Sequence, residues 1–381
     1  MARIKKDKYD YLILGAGIFG LYTALLLGKS KKGSSIAVLE YDSKALSRAS
    51  AVNQARLHNG YHYPRSLDTA IKASHYYDRF AKDFDFAINN NFTKIYGVSK
   101  DNSQVSLRQY INFCKKVGIP LVKIDESLYF KKGTVEGTFE VEEFGFDYKK
   151  IKKYLLSEIS KFNNIKIFYN TKFDSVTRQD NEYILHTSDE KIFNAPTVIN
   201  TTYASINQVI SKFNLDYFDI KYELCELIFC KVSPIIKKVG ITVIDGPFFS
   251  VMPFGNERYH SLSAVSHTPH ETSFGRLPSF KCQRKSINCS RKQLENCNTC
   301  KFKPETAWLK MSSIAGDFLR DDIKLEYINS IYSIKPILTS SDKDDSRPTV
   351  IKTDFSHPCF ISVLSGKIST IYDMEDVVKK I

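Results

Sequence analysis

Tyr9-Asp10-Tyr11-Leu12-Ile13-Leu14 followed by Gly15-Ala16-Gly17-Ile18-Phe19-Gly20 is the stretch on which the reading of this 381-residue chain turns. The first six residues predict a short buried strand. The glycines then fall in the order G-x-G-x-x-G, and Ile18 to Leu27 continue as an apolar-rich segment suited to a buried helix ending near Gly28. A second strand, Ser35 to Leu39, ends on Glu40, which lies 20 residues after the third glycine. Each part has a physical task in a dinucleotide site. Gly15 allows a tight turn, Gly17 lets backbone approach a pyrophosphate, and Gly20 lets the helix pack on the strand. The helix start, where Ile18 and Phe19 stand, offers unpaired N–H groups and a partial positive charge to phosphates. Glu40 is placed to accept hydrogen bonds from an adenosine ribose. An ordinary glycine-rich turn would not require the acid at that spacing. By itself this unit leaves FAD and NAD both open.

The rest of the chain is compatible with a large α/β protein. Hydrophobic residues make up 43% and charged residues 25%, which excludes disordered, collagen-like and coiled-coil chains. The length suits two domains of roughly 150 residues, or one α/β unit carrying a second lobe. The net charge is +13, but Lys and Arg are scattered. The densest spots are Lys5-Lys6-Asp7-Lys8, Lys31-Lys32 and Lys149 to Lys153. Such spacing reads as a solvated basic surface rather than a nucleic-acid site, and it favours a small anionic substrate through steering. Eight cysteines fall well short of a disulfide scaffold, so reduced thiols and a cytoplasmic location are expected. The run Tyr11 to Leu27 mimics a signal peptide or short membrane span. Three glycines interrupt it, however, and Lys29, Lys31 and Lys32 follow without a small-residue cleavage site. No membrane span is expected.

Small, hydroxylated and basic residues come soon after the second strand: Ser47-Arg48-Ala49-Ser50-Ala51-Val52-Asn53-Gln54-Ala55-Arg56-Leu57-His58-Asn59-Gly60-Tyr61-His62-Tyr63-Pro64. With this segment the chain resembles the D-amino-acid-oxidase-like superfamily of FAD-dependent oxidoreductases, which includes glycerol-3-phosphate dehydrogenase and L-2-hydroxyglutarate dehydrogenase. The resemblance implies FAD as the cofactor. It places Ser47, Arg48, Ser50 and Asn53 beside the cofactor, and His58, Tyr61 and Tyr63 near the flavin. It continues with Phe146-Asp147-Tyr148 and an amphipathic segment to Ser160. Strands follow at Asn164 to Phe168 and Tyr183 to His186. Ala195 to Tyr203 is similar to the family's apolar strand ending in Asn-Ala-Thr-Gly, with Thr201 for the alanine, then Thr202, and Tyr203 for the glycine. Near the C-terminus, Phe360 to Leu364 leads into Ser365-Gly366-Lys367-Ile368-Ser369-Thr370. This looks like the family's Gly-Gly-Lys-x-Thr turn, with Ser365 at the first glycine and either Ser369 or Thr370 in the Thr role.

The fold expected from these motifs is α/β: a Rossmann-like FAD-binding domain with a parallel sheet and a discontinuous, β-rich substrate lobe. Residues 1–75, 145–215 and 330–381 are expected to form the FAD domain. Residues 76–144 and 216–329 form the lobe, with a Cys-rich insertion at 280–302. Strand-like runs in the lobe are Leu227 to Val232, Gly240 to Ile244, Phe248 to Pro253 and Tyr259 to Val265. Ser66 to Phe84 reads as a helix.

A flavin accepts hydride itself, so the protein must supply orientation, an anion clamp and a proton acceptor. His58 is a candidate base, a hydrogen-bond partner of the cofactor, or a structural histidine. His260 is a second catalytic candidate. With His267 and His270 it also makes three histidines within 11 residues, which either metal binding or strand alternation into a turn explains. Arg347 is the preferred clamp for a carboxylate or phosphate, the alternative being an ion pair with Asp344 or Asp345. Cys282, Cys289, Cys297 and Cys300 fall within 19 residues of a polar insertion. Four thiolates suit zinc ahead of an iron–sulfur cluster, with free thiols or a redox disulfide as the alternatives. Cys114, Cys225, Cys230 and Cys359 read as buried packing residues. The function expected is dehydrogenation of a C–H next to a hydroxyl or amine of a small anionic metabolite, with oxygen, a quinone or another carrier taking the electrons. A flavoprotein modifying tRNA or another macromolecule, and a non-catalytic flavin-binding interaction protein, are the alternatives.

Overall fold

The computed structural model describes residues 6–342, 344–354 and 356–381; Lys5 of the N-terminal basic run lies outside them. The first core strand is Tyr11–Leu14, the helix after the glycines is Ile18–Ser30, and the next strand is Ile36–Leu39. The strand begins two residues later than its apolar run suggests. Tyr9 donates its N–H to the Asn194 carbonyl and Asp10 donates to that of Ser35, so the chain changes sheets at this point. The preceding strand, Lys6–Lys8, pairs in parallel with Ile192–Ala195 in a separate four-stranded sheet.

The principal sheet has six strands in the order Ile165–Phe168, Ile36–Leu39, Tyr11–Leu14, Thr197–Asn200, Cys359–Leu364, Val350–Asp354. All pairs are parallel except the last. Alternation explains why these strands are apolar throughout. Ile13, Ile36, Val38, Ile199, Ile361 and Val363 pack against the helices Ile18–Ser30, Tyr148–Ser160 and Asp373–Lys380. Leu12, Leu14, Leu39, Val198 and Phe360 face the opposite way. They meet the small sheet through Leu185 and Phe193 and the helix Ile206–Phe213 through Val209 and Ile210.

A nine-stranded sheet forms the second layer of the molecule. Its backbone is a long antiparallel pair, Ile220–Val232 with Leu325–Leu338. The expected run Leu227 to Val232 is thus the end of a longer strand, and residue 330 lies inside the other strand of the pair. The helix Leu67–Asp83 likewise runs through residue 75. Between the two large sheets lies a small ribbon of Arg56–Leu57, Phe144–Phe146 and Ile88–Asn89. That ribbon carries Arg56, with His58 just past the end of one strand and Glu143 just before the start of another.

Candidate cofactor cleft and active site

The strand–turn–helix at residues 11–30 closes on itself through bare backbone. Gly15 has φ +97°, and a Cβ at Gly20 would stand 1.9 Å from the Gly15 carbonyl oxygen. Neither position admits a side chain without moving the main chain. This turn forms one end of a cavity of about 570 Å³ that extends to the face of the nine-stranded sheet. Every residue expected to hold the cofactor lines that cavity except Gly20, which packs helix on strand, and Thr370.

At the nucleotide end, Glu40 accepts the Ala16 N–H at 2.7 Å and the Asp42 N–H at 2.8 Å. Burial raises its pKa, and the two N–H groups oppose the shift. Ile18 N–H donates to Ser50 Oγ at 3.2 Å. Arg48 is committed to the rim: Nε and Nη2 bond Asp42 at 2.9 and 2.7 Å, and Nη1 reaches the Leu294 carbonyl at 3.0 Å. Ser47 also bonds Asp42. Asn53 holds its own turn, donating to the carbonyls of Ala49 and Ser50 and accepting from Ala55 N–H. Thr201 Oγ1 ties to the Leu14 carbonyl at 2.9 Å, which seats the second crossover on the glycine turn. Thr202 bonds Asn200. Tyr203, at the position the resemblance gives to glycine, takes a left-handed φ of +54°.

The C-terminal turn is held by hydroxyls where the family pattern has glycine. Ser365 Oγ and Thr370 Oγ1 lie 2.7 Å apart, and Thr370 Oγ1 donates to the Lys367 carbonyl at 3.0 Å. Thr370 therefore fixes the turn from behind, while Gly366, Lys367, Ile368 and Ser369 line the cavity. Lys367 Nζ is buried without a hydrogen-bond partner, 3.4 Å from the centre of the Tyr63 ring. Burial, then the Arg347 charge, hold its pKa well below the ordinary lysine value. An open glycine turn, a cavity of this volume and an unpartnered lysine nitrogen together fit an FAD molecule. Gly15 to Phe19 would hold its diphosphate, Glu40 its ribose, and the 365–369 turn its ring system.

At the far end Arg56 and His58 line the wall, and further ionisable side chains are buried behind them. Glu143, 2% exposed, accepts from Tyr96 Oη at 2.9 Å, His58 Nδ1 at 3.2 Å and Asn59 N–H at 3.3 Å, with Arg56 Nε at 3.8 Å. A carboxylate only accepts, so His58 carries its proton on Nδ1 and leaves Nε2 as a base. Burial and the charges of Arg56, Lys367 and Lys94 hold the His58 pKa well below its usual value. His62, half-buried, packs on His58 and Tyr63. Arg56 Nη1 donates to Thr242 Oγ1 at 2.9 Å and reaches Ser250 Oγ at 3.4 Å, and its Nε lacks a hydrogen-bond partner. Lys94 Nζ approaches the same Thr242 oxygen from behind, and burial depresses its pKa strongly. Sequence reasoning passed over Arg56, Lys94, Glu143, Thr242 and Ser250.

Four expectations need correction. Tyr61 lies outside the cavity, its hydroxyl donating to the Pro120 carbonyl at 2.6 Å in a packing cluster with Tyr96 and Tyr110. His260 is also outside. On the strand His260–Ala264 it shares the parity of Leu262 and Ala264, which face the helix Trp308–Phe318, whereas Ser263 faces the cavity. Arg347 lines the cavity but is ion-paired with Asp345 and donates to the Ser346 carbonyl, which is the alternative weighed for it. The zinc and iron–sulfur readings are not supported. Among the described residues no three His, Cys, Asp or Glu side chains are grouped to hold an ion. Cys282, Cys289 and Cys297 pack as small apolar groups against the cluster around Leu294 and Phe280, and burial pushes the Cys297 thiol up to about 12.

Residues 10–256 match the family model described as FAD dependent oxidoreductase. A curated FAD-dependent monooxygenase of Fusarium mangiferae (FPY4) is 24% identical over 258 residues, 68% of this chain. The chain spans 64% of the length of that relative. Among solved structures, FAD-bound L-α-glycerophosphate oxidase from Mycoplasma pneumoniae is similar, with a TM-score of 0.73 and 14% identity over 98% of this chain and 94% of that one. Glycine oxidase from Geobacillus kaustophilus gives 0.70 and 11% identity, over 98% and 92% of the two chains. At these identities the structural likenesses speak for the fold. Among the described residues no helix is long and apolar enough to cross a membrane.

Proposed function

The chain belongs to the FAD-dependent oxidoreductase family, and from that premise we propose that it dehydrogenates a carbon bearing a hydroxyl or amine on a small anionic metabolite. The observation that carries this reading is His58, which lines the same cavity as the nucleotide turn and is held through Nδ1 by the buried Glu143 behind it. Bound FAD supplies the hydride acceptor. Glu143 accepts a hydrogen bond from His58 Nδ1–H and so orients the ring, and Nε2 then takes the hydroxyl or ammonium proton of the substrate. Because burial and nearby cations keep His58 neutral, this base stays competent down to pH values well below 6.5.

Arg56 and Lys94 share one hydroxyl oxygen, and the only carboxylate within 4 Å of either that the described ion pairs contain is Glu143. The unpartnered Arg56 Nε, beside the Thr242 and Ser250 hydroxyls, suits a carboxylate or phosphate held by these three residues. Glycine and L-α-glycerophosphate, for which two similar oxidases are named, both carry such a group.

The test is an anaerobic screen of FAD-loaded protein against hydroxy acids, amino acids and phosphorylated alcohols. Bleaching of the flavin by one of these classes is the expected outcome, and its rate should fall by about 10²–10⁴ in His58→Ala. A dithionite-reducible flavin that no member of the panel bleaches would overturn the reading.

A further inference from the structure

The Cys-rich segment is the motif that the chemistry above leaves without a task. We propose that residues 280–302 form a clasp over the AMP half of FAD, and that this clasp makes the site selective for FAD over FMN. The inference rests on the family's cofactor and not on the substrate reading.

The segment crosses the mouth of the nucleotide cleft and is tied to both of its rims. One rim is the loop after the strand that ends at Glu40. There the Tyr41 hydroxyl bonds the Glu295 carboxylate, Arg48 donates to the Leu294 carbonyl at 3.0 Å, and Asn296 Nδ2 reaches Asp42 Oδ2 and the Ser47 carbonyl, each at 3.2 Å. The other rim is the helix Ile206–Phe213, which follows the middle crossover. From it Gln208 Nε2 donates to the Arg291 carbonyl at 2.7 Å. Between these anchors the Leu294 side chain is 1% exposed and packs beneath the strap, while Lys292 to Cys297 line the cavity.

A second observation points to a ligand under the strap. Gln208 is 3% exposed and lines the cavity, and its Oε1 has no hydrogen-bond partner. A buried amide oxygen left empty costs stability until a donor fills it. An adenosine offers such donors in its ribose hydroxyls and its exocyclic amine. FMN has neither, because it ends at the first phosphate. Cys282, Cys289 and Cys297 then serve as compact packing under a polar strap.

The experiment measures the affinity of the apoprotein for FAD and FMN by quenching of flavin fluorescence, with ADP as a competitor of FAD. The wild type is compared with the double variant Glu295→Ala/Asn296→Ala and with Gln208→Leu. Expected is a loss of FAD and ADP affinity of about tenfold with FMN affinity held within about twofold, since the double variant frees the strap from its rim and Gln208→Leu removes an acceptor under it, both at the AMP half. Equal losses for FAD and FMN, or unchanged FAD affinity in both variants, would overturn the clasp. The Gln208→Leu variant keeps the test open should the double variant fold poorly. A wild type that binds FAD but oxidises nothing leaves the clasp standing and removes the proposed reaction. A wild type that takes up neither flavin overturns both.

Discussion

The two ends of the cavity are made of different material. At the nucleotide end the cavity opens on main chain, a glycine turn at positive φ and a helix start, with the Glu40 and Arg48 side chains tied down at its rim. At the substrate end the wall is made of side chains, Arg56, His58, Thr242 and Ser250, with the ionisable groups of Lys94, Tyr96 and Glu143 buried behind them. The first end has no room for a side chain at Gly15 or Gly20, and its charges are already answered, Glu40 by two N–H groups and Arg48 by Asp42. The second has room for substitution but keeps several buried ionisable groups in balance through one carboxylate. Steric failure should therefore dominate at one end and electrostatic failure at the other.

The largest effect is expected at the electrostatic end. Glu143→Ala leaves Arg56 buried without its carboxylate and removes the acceptor for His58 and Tyr96. Breaking a buried pair from one side costs about 3–5 kcal/mol, so the urea midpoint should fall accordingly. A loss below about 1 kcal/mol would mean that water in the cavity already solvates Arg56, and the contrast between the two ends would weaken.

Next comes the steric end. The Cβ of Gly20→Ala would meet the Gly15 oxygen at 1.9 Å and Thr201 Oγ1 at 2.8 Å. The helix must back away from the strand, at a cost of about 1–3 kcal/mol, and the N–H groups aimed at the diphosphate move with it. Purified variant should carry little flavin while remaining folded by circular dichroism. Full flavin occupancy would show that the turn yields more easily than its packing implies.

This division also explains what the sequence could be made to say. A backbone cradle writes itself locally: Gly15, Gly17, Gly20 and Glu40 stand within one strand–helix–strand unit, and each is required by conformation or by proximity. The Ser365–Thr370 turn was legible for the same reason, although its hydroxyl bracing was not. A charged cluster has no such local signature. Glu143 is 85 positions from His58, and Thr242 is 186 from Arg56. Only alternation gave a clue, since Arg56 lies two residues before His58 and so shares its side of the ribbon. Parity also decides against His260, once the strand and the face it buries are known. The cysteine spacing misled because a thiol serves equally as a ligand and as a small apolar side chain, and spacing does not tell which way it points.

The smallest effects are the most useful for locating the substrate's acid group, because they separate two arginines that line the same cavity. Arg347 has its own carboxylate in Asp345 and a backbone acceptor in Ser346, so its charge is already answered. Arg56 shares Glu143 with His58, Tyr96 and Asn59, and its Nε has no hydrogen-bond partner. An incoming anion gains more from the cation whose charge is less neutralised. Arg56→Gln should therefore raise KM for the substrate by about tenfold, equivalent to about 1.4 kcal/mol, with a smaller change in kcat. Arg347→Gln should raise it by less than about threefold, in keeping with a half-exposed, already paired charge. Steady-state kinetics at fixed ionic strength reads both. The reverse order of effects would place the acid group beside Gly366 and the C-terminal turn, with Asp345 giving up its partner on binding, and would leave Arg56 as a structural counter-ion of Glu143.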